Sequence, residues 1–192
     1  MSIPIYSFNS VDLSMDRLNE LIVVCDIDNT IFYTRSFKTY AYFYKLVKSN
    51  FPNNSEDLIY ADSSRLFNEN RKDSYHTNPV ATDLIGFLRL LDRIREIGGK
   101  IIYLTARPKS SASFTKTQFE SIGLYYDDSN THYTNNTIHK GDYLNEILEI
   151  DRMTPIIFID DLDENLNNVL QTYPNSKCYK FIYDNPNINN PK

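Results

Sequence analysis

The sequence predicts an α/β fold: a doubly wound, three-layer parallel sheet of Rossmann-like type, with a small helical cap inserted after its first strand. Two observations carry that prediction. Continuous apolar runs rich in β-branched residues recur at "LIVVCDI" (21–27), "KIIYLTA" (100–106), "PIIFIDD" (155–161) and "KCYKFIY" (177–183). A run that does not alternate reads as a strand covered on both faces. Helical periodicity fills the gaps between the runs, and strand–helix–strand alternation implies parallel pairing through right-handed crossovers.

Each connecting element has its own signal. "TDLIGFLRLLDRIREIGG" (82–99) carries apolar residues at 84, 85, 88, 91, 94 and 97. Thr82 or Asp83 is its candidate cap, and Gly98 with Gly99 its stop. "SASFTKTQFESIG" (111–123) is a weaker helix ending at Gly123. A short strand is expected around Thr131 to Thr134. "GDYLNEILEID" (141–151) places Tyr143, Leu144, Ile147 and Leu148 on one side, and "DENLNNVLQTY" (163–173) is a helix directly after the third long run.

The segment 33–80 breaks this rhythm. "RSFKTYAYFYKLVKSN" is aromatic-rich and helical, with Phe37, Tyr40, Tyr42, Phe43 and Tyr44 as cap core. "FPNNSEDLIYADSSRLFNENRKDSYHTNP" reads as polar and turn-prone. Such an insertion is too long for an ordinary connection and reads as a lid or cap. The expected organisation is a core at 1–32 and 81–185, a cap at 33–80 and a frayed tail at 186–192.

Composition narrows the function classes. The 192 residues are 41% hydrophobic and 14% aromatic, a globular balance. The net charge is −5 and no basic run stands out, so nucleic acid is not favoured as a partner. Apolar runs fall short of the roughly 18 residues a membrane span needs. The N-terminal segment lacks the basic-then-apolar pattern of a signal peptide, so the expected location is cytoplasmic. Cys25 and Cys178 sit in or beside apolar runs and read as small core residues. His76, His132 and His139 have no ligand-like spacing. No obligate protein partner is evident.

The strand ends carry the chemistry. In a doubly wound sheet, ligands bind beyond the carboxyl ends of the strands, where strand order reverses. Here the first long run ends in Asp26, Asp28 and Thr30, the second in Thr105 and Arg107, and the third in Asp160 and Asp161. Carboxylates gathered this closely repel one another and lose hydration, and a hard divalent cation with oxygen ligands, Mg²⁺ by preference, relieves both.

Four motifs in order resemble the haloacid dehalogenase superfamily of phosphatases and phosphotransferases, over nearly the whole chain. They are "DIDNT" (26–30), Thr105 in "YLTARP", Lys140 in "HKGDYL", and Asp160-Asp161 in "FIDD". "LTARP" with "FIDD" is also similar to small-capped members, including acid phosphatases and an uncharacterised bacterial and viral group. The resemblance implies a role for each residue. Asp26 would be the nucleophile, forming an aspartyl-phosphate and lending its other oxygen to Mg²⁺. Asp28 would be general acid and then base, its backbone carbonyl on the metal. A neighbouring carboxylate is expected to raise its pKa. Thr105, Ala106 and Lys140 would hold the phosphoryl oxygens. Asp160 and Asp161 would ligate the metal, and Thr30 would brace the loop. Asn29 and Arg107 are further candidates for substrate contact. Lys109 and Lys116 are rivals for the phosphate lysine.

An aspartate at position 28 points to phosphate monoesters, hence to a small phosphorylated substrate. A phosphorylated macromolecule, transfer to an acceptor other than water, and a non-catalytic metal-binding module are the alternatives.

Overall fold

A computed structural model describes residues 2–14, 21–35, 38, 40–74 and 77–183. In chain order its strands and α-helices are β1 (Ile3–Ile5), β2 (Ile22–Cys25), β3 (Phe32–Thr34), α1 (Tyr40–Asn50), α2 (Glu56–Ser74), β4 (Pro79–Ala81), α3 (Leu84–Glu96), β5 (Lys100–Thr105), α4 (Ala112–Ser121), β6 (Thr131–Tyr133), α5 (Lys140–Glu146), β7 (Ile156–Asp160), α6 (Asp163–Thr172) and β8 (Lys177–Phe181). Phe37, His76 and the expected tail 186–192 lie outside the described residues.

The main sheet has six strands in the order β1-β8-β7-β2-β5-β6, and every pairing is parallel. Its four long strands are the four apolar runs, and β6 is the short strand expected near Thr131. β1 was not predicted. It is three residues long and contains Pro4, which an edge strand tolerates because one side of its backbone needs no partner. β3 and β4 form a separate two-stranded sheet, also unpredicted, each too short to show periodicity.

Alternate residues of the central strands feed opposite faces. Val23, Cys25, Ile157 and Ile159 join Phe87, Leu90 and Ile94 of α3 and Phe119 of α4 in one core cluster. Val24, Phe158 and Leu104 join Leu144 of α5 with Leu166 and Val169 of α6 in the other. Two buried layers either side of one sheet make the three-layer architecture. The Asp83 side chain, just before α3, accepts from the Gly86 amide at 3.0 Å, so Asp83 rather than Thr82 is the cap. α5 is shorter than its sequence signal: it ends at Glu146, and Ile147 is exposed.

The chain divides into two compact units, one formed by Met1–Tyr33 with Ala81–Tyr183 and a second containing Thr34–Val80. In the second, α1 buries Phe43 and Val47, and α2 buries Ile59 and Ser63. Tyr40 packs edge-on to Phe67 at 6.0 Å between ring centres, and Tyr44 lies against Tyr60 at 5.3 Å. The polar stretch 51–79 is therefore largely helix rather than turn. Its narrow apolar stripe hid the periodicity. Its outer face is solvated charge, with exposed Arg65 bridging Asp62 and Glu69 one turn either way. Among the described residues, no helix is long and apolar enough to cross a membrane.

Candidate active site

β2 lies between β5 and β7, and the chain winds outward from it first in one direction and then in the other. Its carboxyl end is the point where strand order reverses. The register sets what meets there. Cys25 pairs with Ile159 across the ladder, and the Asp26 amide donates to the Ile159 carbonyl at 2.9 Å, which brings Asp26 beside Asp160. On the other side Cys25 pairs with Tyr103, so β5 runs two residues further and delivers Thr105 to the same edge.

Asp26, Asp160 and Asp161 each offer one ligand oxygen, all within 4.8 Å of one another. Lys140 is the cation among them, 3% exposed, touching Asp26 Oδ1 and donating to Asp160 Oδ2 at 2.7 Å. One ammonium among three carboxylates leaves negative charge uncompensated. Burial pushes the Asp26 carboxyl up to about 7, with Asp160 and Asp28 adding repulsion and Lys140 pulling the other way. Burial also raises the half-buried Asp161 well above the usual carboxylate range, helped by the charges of Asp26 and Asp160. The ligand atoms these three side chains offer are carboxylate oxygens, so the cluster fits a hard divalent cation. Lys109 and Lys116, the rival lysines, are exposed and pair with Asp128 and Glu120 instead.

Asp28 stands apart from this cluster. Arg107 grips its carboxylate through Nε and Nη2, while Nη1 donates to Thr115 Oγ1 at 2.9 Å and Gln118 Oε1 at 2.7 Å. The Arg107 side chain is 1% exposed and that of Asp28 43%. The Arg107 guanidinium is buried and hydrogen-bonds Asp28, Thr115 and Gln118. One expectation is corrected by the Arg107–Asp28 pair. The Asp28 carboxyl is not raised: burial acts to raise it, but the charge and hydrogen bonds of Arg107 outweigh that and hold it below its ordinary value. Thr105 is fully buried, donates to Asp28 Oδ2 at 3.3 Å and accepts from the Arg107 amide at 3.2 Å. Ala106 is half-buried beside it.

The loop that carries both aspartates is fixed from several sides. Asn29 sits in the left-handed region at φ 62°, which asparagine tolerates better than most residues. Its Oδ1 accepts from the Tyr183 hydroxyl at 2.7 Å. Thr30 is fully buried and donates to Asp26 Oδ2 at 3.2 Å.

Two positioning devices were missed by sequence reasoning. Asn165 Nδ2 donates to both Asp160 oxygens at 3.0 Å, and the Leu162 amide donates to Asp160 Oδ1 at 2.8 Å. The only available signal was an Asn in the first turn of the helix after "FIDD". Gly141 is the other. A Cβ there would lie 2.7 Å from Asn168 Oδ1 and 2.7 Å from Thr172 Oγ1, so only glycine lets α5 approach α6 and set Lys140 against the carboxylates. Thr115 and Gln118, three apart on one face of α4, gave no sign that they hold Arg107.

A model of the family described as "Protein of unknown function (DUF2608)" matches residues 6–183. The chain belongs to that family. No curated protein matches this DUF2608 member. Solved structures do. A HAD hydrolase, family IA, variant 3, of Entamoeba histolytica is 11% identical at TM-score 0.54, over 82% of each chain. A HAD family hydrolase of Deinococcus radiodurans with bound phosphate and sodium is 10% identical at TM-score 0.52, over 85% of this chain and 81% of that one. A HAD family enzyme of Bacteroides thetaiotaomicron, in complex with magnesium and inorganic phosphate, is 12% identical at TM-score 0.50, over 85% and 95%. The DUF2608 member thus has the haloacid dehalogenase fold.

Proposed function

We propose that this protein is a Mg²⁺-dependent phosphatase that hydrolyses phosphate monoesters through an aspartyl-phosphate on Asp26. The observation that carries the reading is the buried Asp26 carboxylate at the strand-order reversal, touching Lys140 and grouped with Asp160 and Asp161. The magnesium and inorganic phosphate held by one structural neighbour, and the phosphate and sodium held by another, support it.

Asp26, Asp160 and Asp161 would hold the metal, which supplies charge neutralisation at the transferring phosphoryl group. Lys140 favours the ionised form of Asp26, against the burial that raises its carboxyl, and adds positive charge where the phosphoryl oxygens gather. In the first half-reaction an Asp26 oxygen forms a bond to phosphorus as the ester P–O bond breaks, and the departing oxygen takes a proton from the Asp28 carboxyl. In the second, water attacks the phosphorus of the aspartyl-phosphate, the Asp26–phosphorus bond breaks, and Asp28 accepts the proton of the water. Arg107 favours ionised Asp28, which suits the second half and makes the first the more demanding.

The test is hydrolysis of an aryl phosphate with and without Mg²⁺, comparing wild type with Asp26→Asn. The expected result is metal-dependent turnover in wild type and a loss of about 10³-fold or more in the variant. A variant as active as wild type would sink the proposal.

A further inference from the structure

A cavity of about 310 Å³ opens beside Lys140, and nothing in the chemistry above uses most of its wall. Three segments of the first unit build it: Ala106 after β5, the β6–α5 connection from Thr134 to His139, and Leu162 to Asn165 at the start of α6. It is continuous with the candidate active site, since Lys140 touches Asp26 and Asp160, and Asn165 holds Asp160. The β6–α5 wall is preformed. Thr134 is buried, its carbonyl accepts from the Thr137 amide at 3.1 Å and the Thr137 hydroxyl at 2.9 Å, and Asn135 and Asn136 close the turn at φ 54° and 55°.

The charge of this wall is one-sided. Among the described residues lining it, Lys140 is the lysine or arginine, and its charge is taken by two buried carboxylates. Arg107, nearby in sequence, is buried against Asp28. Glu164 is exposed on the wall, and Asn136, Thr137 and His139 supply hydrogen-bonding side chains. A second phosphate or a carboxylate entering here would meet, among the described residues of the wall, no lysine or arginine but Lys140, already ion-paired twice, and would face Glu164. A hydroxyl-bearing group would lose little. The volume is at the small end for ligand pockets, about 300–1,000 Å³.

We infer that this cavity receives the alcohol part of the substrate and selects a small, neutral, hydroxyl-bearing group over one that carries a second anion. The inference rests on the phosphatase reading.

The test uses two near-isosteric esters, sn-glycerol 3-phosphate and 3-phosphoglycerate, in which a hydroxymethyl group replaces a carboxylate. Rates with Mg²⁺ are compared for wild type, Glu164→Gln and Glu164→Lys, with Asp26→Asn as the control for the reaction and an aryl phosphate as reference. In wild type kcat/KM should favour the glycerol ester by about tenfold or more, the range that one pocket contact commands. Glu164→Gln should narrow the ratio and Glu164→Lys should narrow it further, through a gain with 3-phosphoglycerate. A wild-type ratio near one or reversed, or a ratio that Glu164→Lys leaves unchanged, overturns the inference while Asp26-dependent turnover keeps the phosphatase reading. Turnover of the aryl phosphate with neither three-carbon ester does the same. No Asp26-dependent turnover of any of the three overturns both.

Discussion

Arg107 and Asp28 are joined by two parallel hydrogen bonds, Nε to Oδ2 at 2.9 Å and Nη2 to Oδ1 at 2.7 Å. Together with the Thr105 hydroxyl at 3.3 Å, this fork fixes the orientation of the carboxylate, and planar bidentate geometry is what a lysine cannot reproduce.

Arg107→Met should therefore destabilise the protein and slow it. The loss removes partners from Asp28, Thr115 and Gln118 at once. A fully buried pair costs roughly 3–5 kcal/mol when one member is deleted; with the Asp28 side chain 43% exposed, about 2 kcal/mol is expected here. Urea denaturation reads it as a lower midpoint at unchanged slope. An unchanged midpoint would show that the fork adds nothing to the fold.

Asn165→Ala should weaken metal binding and leave the fold intact. Asn165 holds both oxygens of Asp160, and the loss of such an outer partner typically costs about 10–100-fold in metal affinity. Calorimetric titration with Mg²⁺ measures it directly. Wild-type affinity in the variant would mean that Asp160 is held well enough by Lys140 and the Leu162 amide alone.

Without metal, the stability of wild type should fall as pH rises from about 4 toward 7. Asp26 has its carboxyl raised to about 7 from the ordinary 3.8, so over that interval the folded chain binds a proton that the unfolded chain has released. Stability then decreases with pH, because the folded state holds the more protons. Asp161 is shifted in the same direction and adds to the slope. Thermal melts at pH 5 and pH 8 should show the trend in wild type and a smaller one in Asp26→Asn. Mg²⁺ should restore stability at pH 8, where the ligands are ionised. Equal slopes for the two proteins would exclude Asp26 as the group responsible.

Gly141→Ala should disturb Lys140 without touching it. The added methyl meets Asn168 and Thr172 at 2.7 Å, so α5 must shift from α6, at a cost of about 1–3 kcal/mol. The expected result is a lower Tm and reduced turnover together. An unchanged Tm would show that the helices yield at no cost.

Much of the core could be read because burial leaves a local trace. Four long strands covered on both faces had to be continuous apolar runs, and α3 had to show a stripe, a cap at Asp83 and a stop at Gly98. β1, β3 and β4 left no such trace, being three residues each. α2 left little, because its packing face is narrow and the rest of it is solvated charge. In the site, the aspartates were legible since acidic residues directly after apolar runs are costly anywhere but at a ligand-binding edge.

By itself, then, the sequence determined the parallel α/β architecture, the strand ends that carry Asp26, Asp28, Thr105, Asp160 and Asp161, and the surplus of carboxylate there. Tertiary structure alone decided how those charges divide. It gave Lys140 to Asp26 and Asp160 and Arg107 to Asp28, so that one carboxyl is raised and the other lowered. The physical reason is that a pKa depends on distances of a few ångströms between residues up to 114 positions apart, and only the register of the sheet and the packing of its helices set those distances.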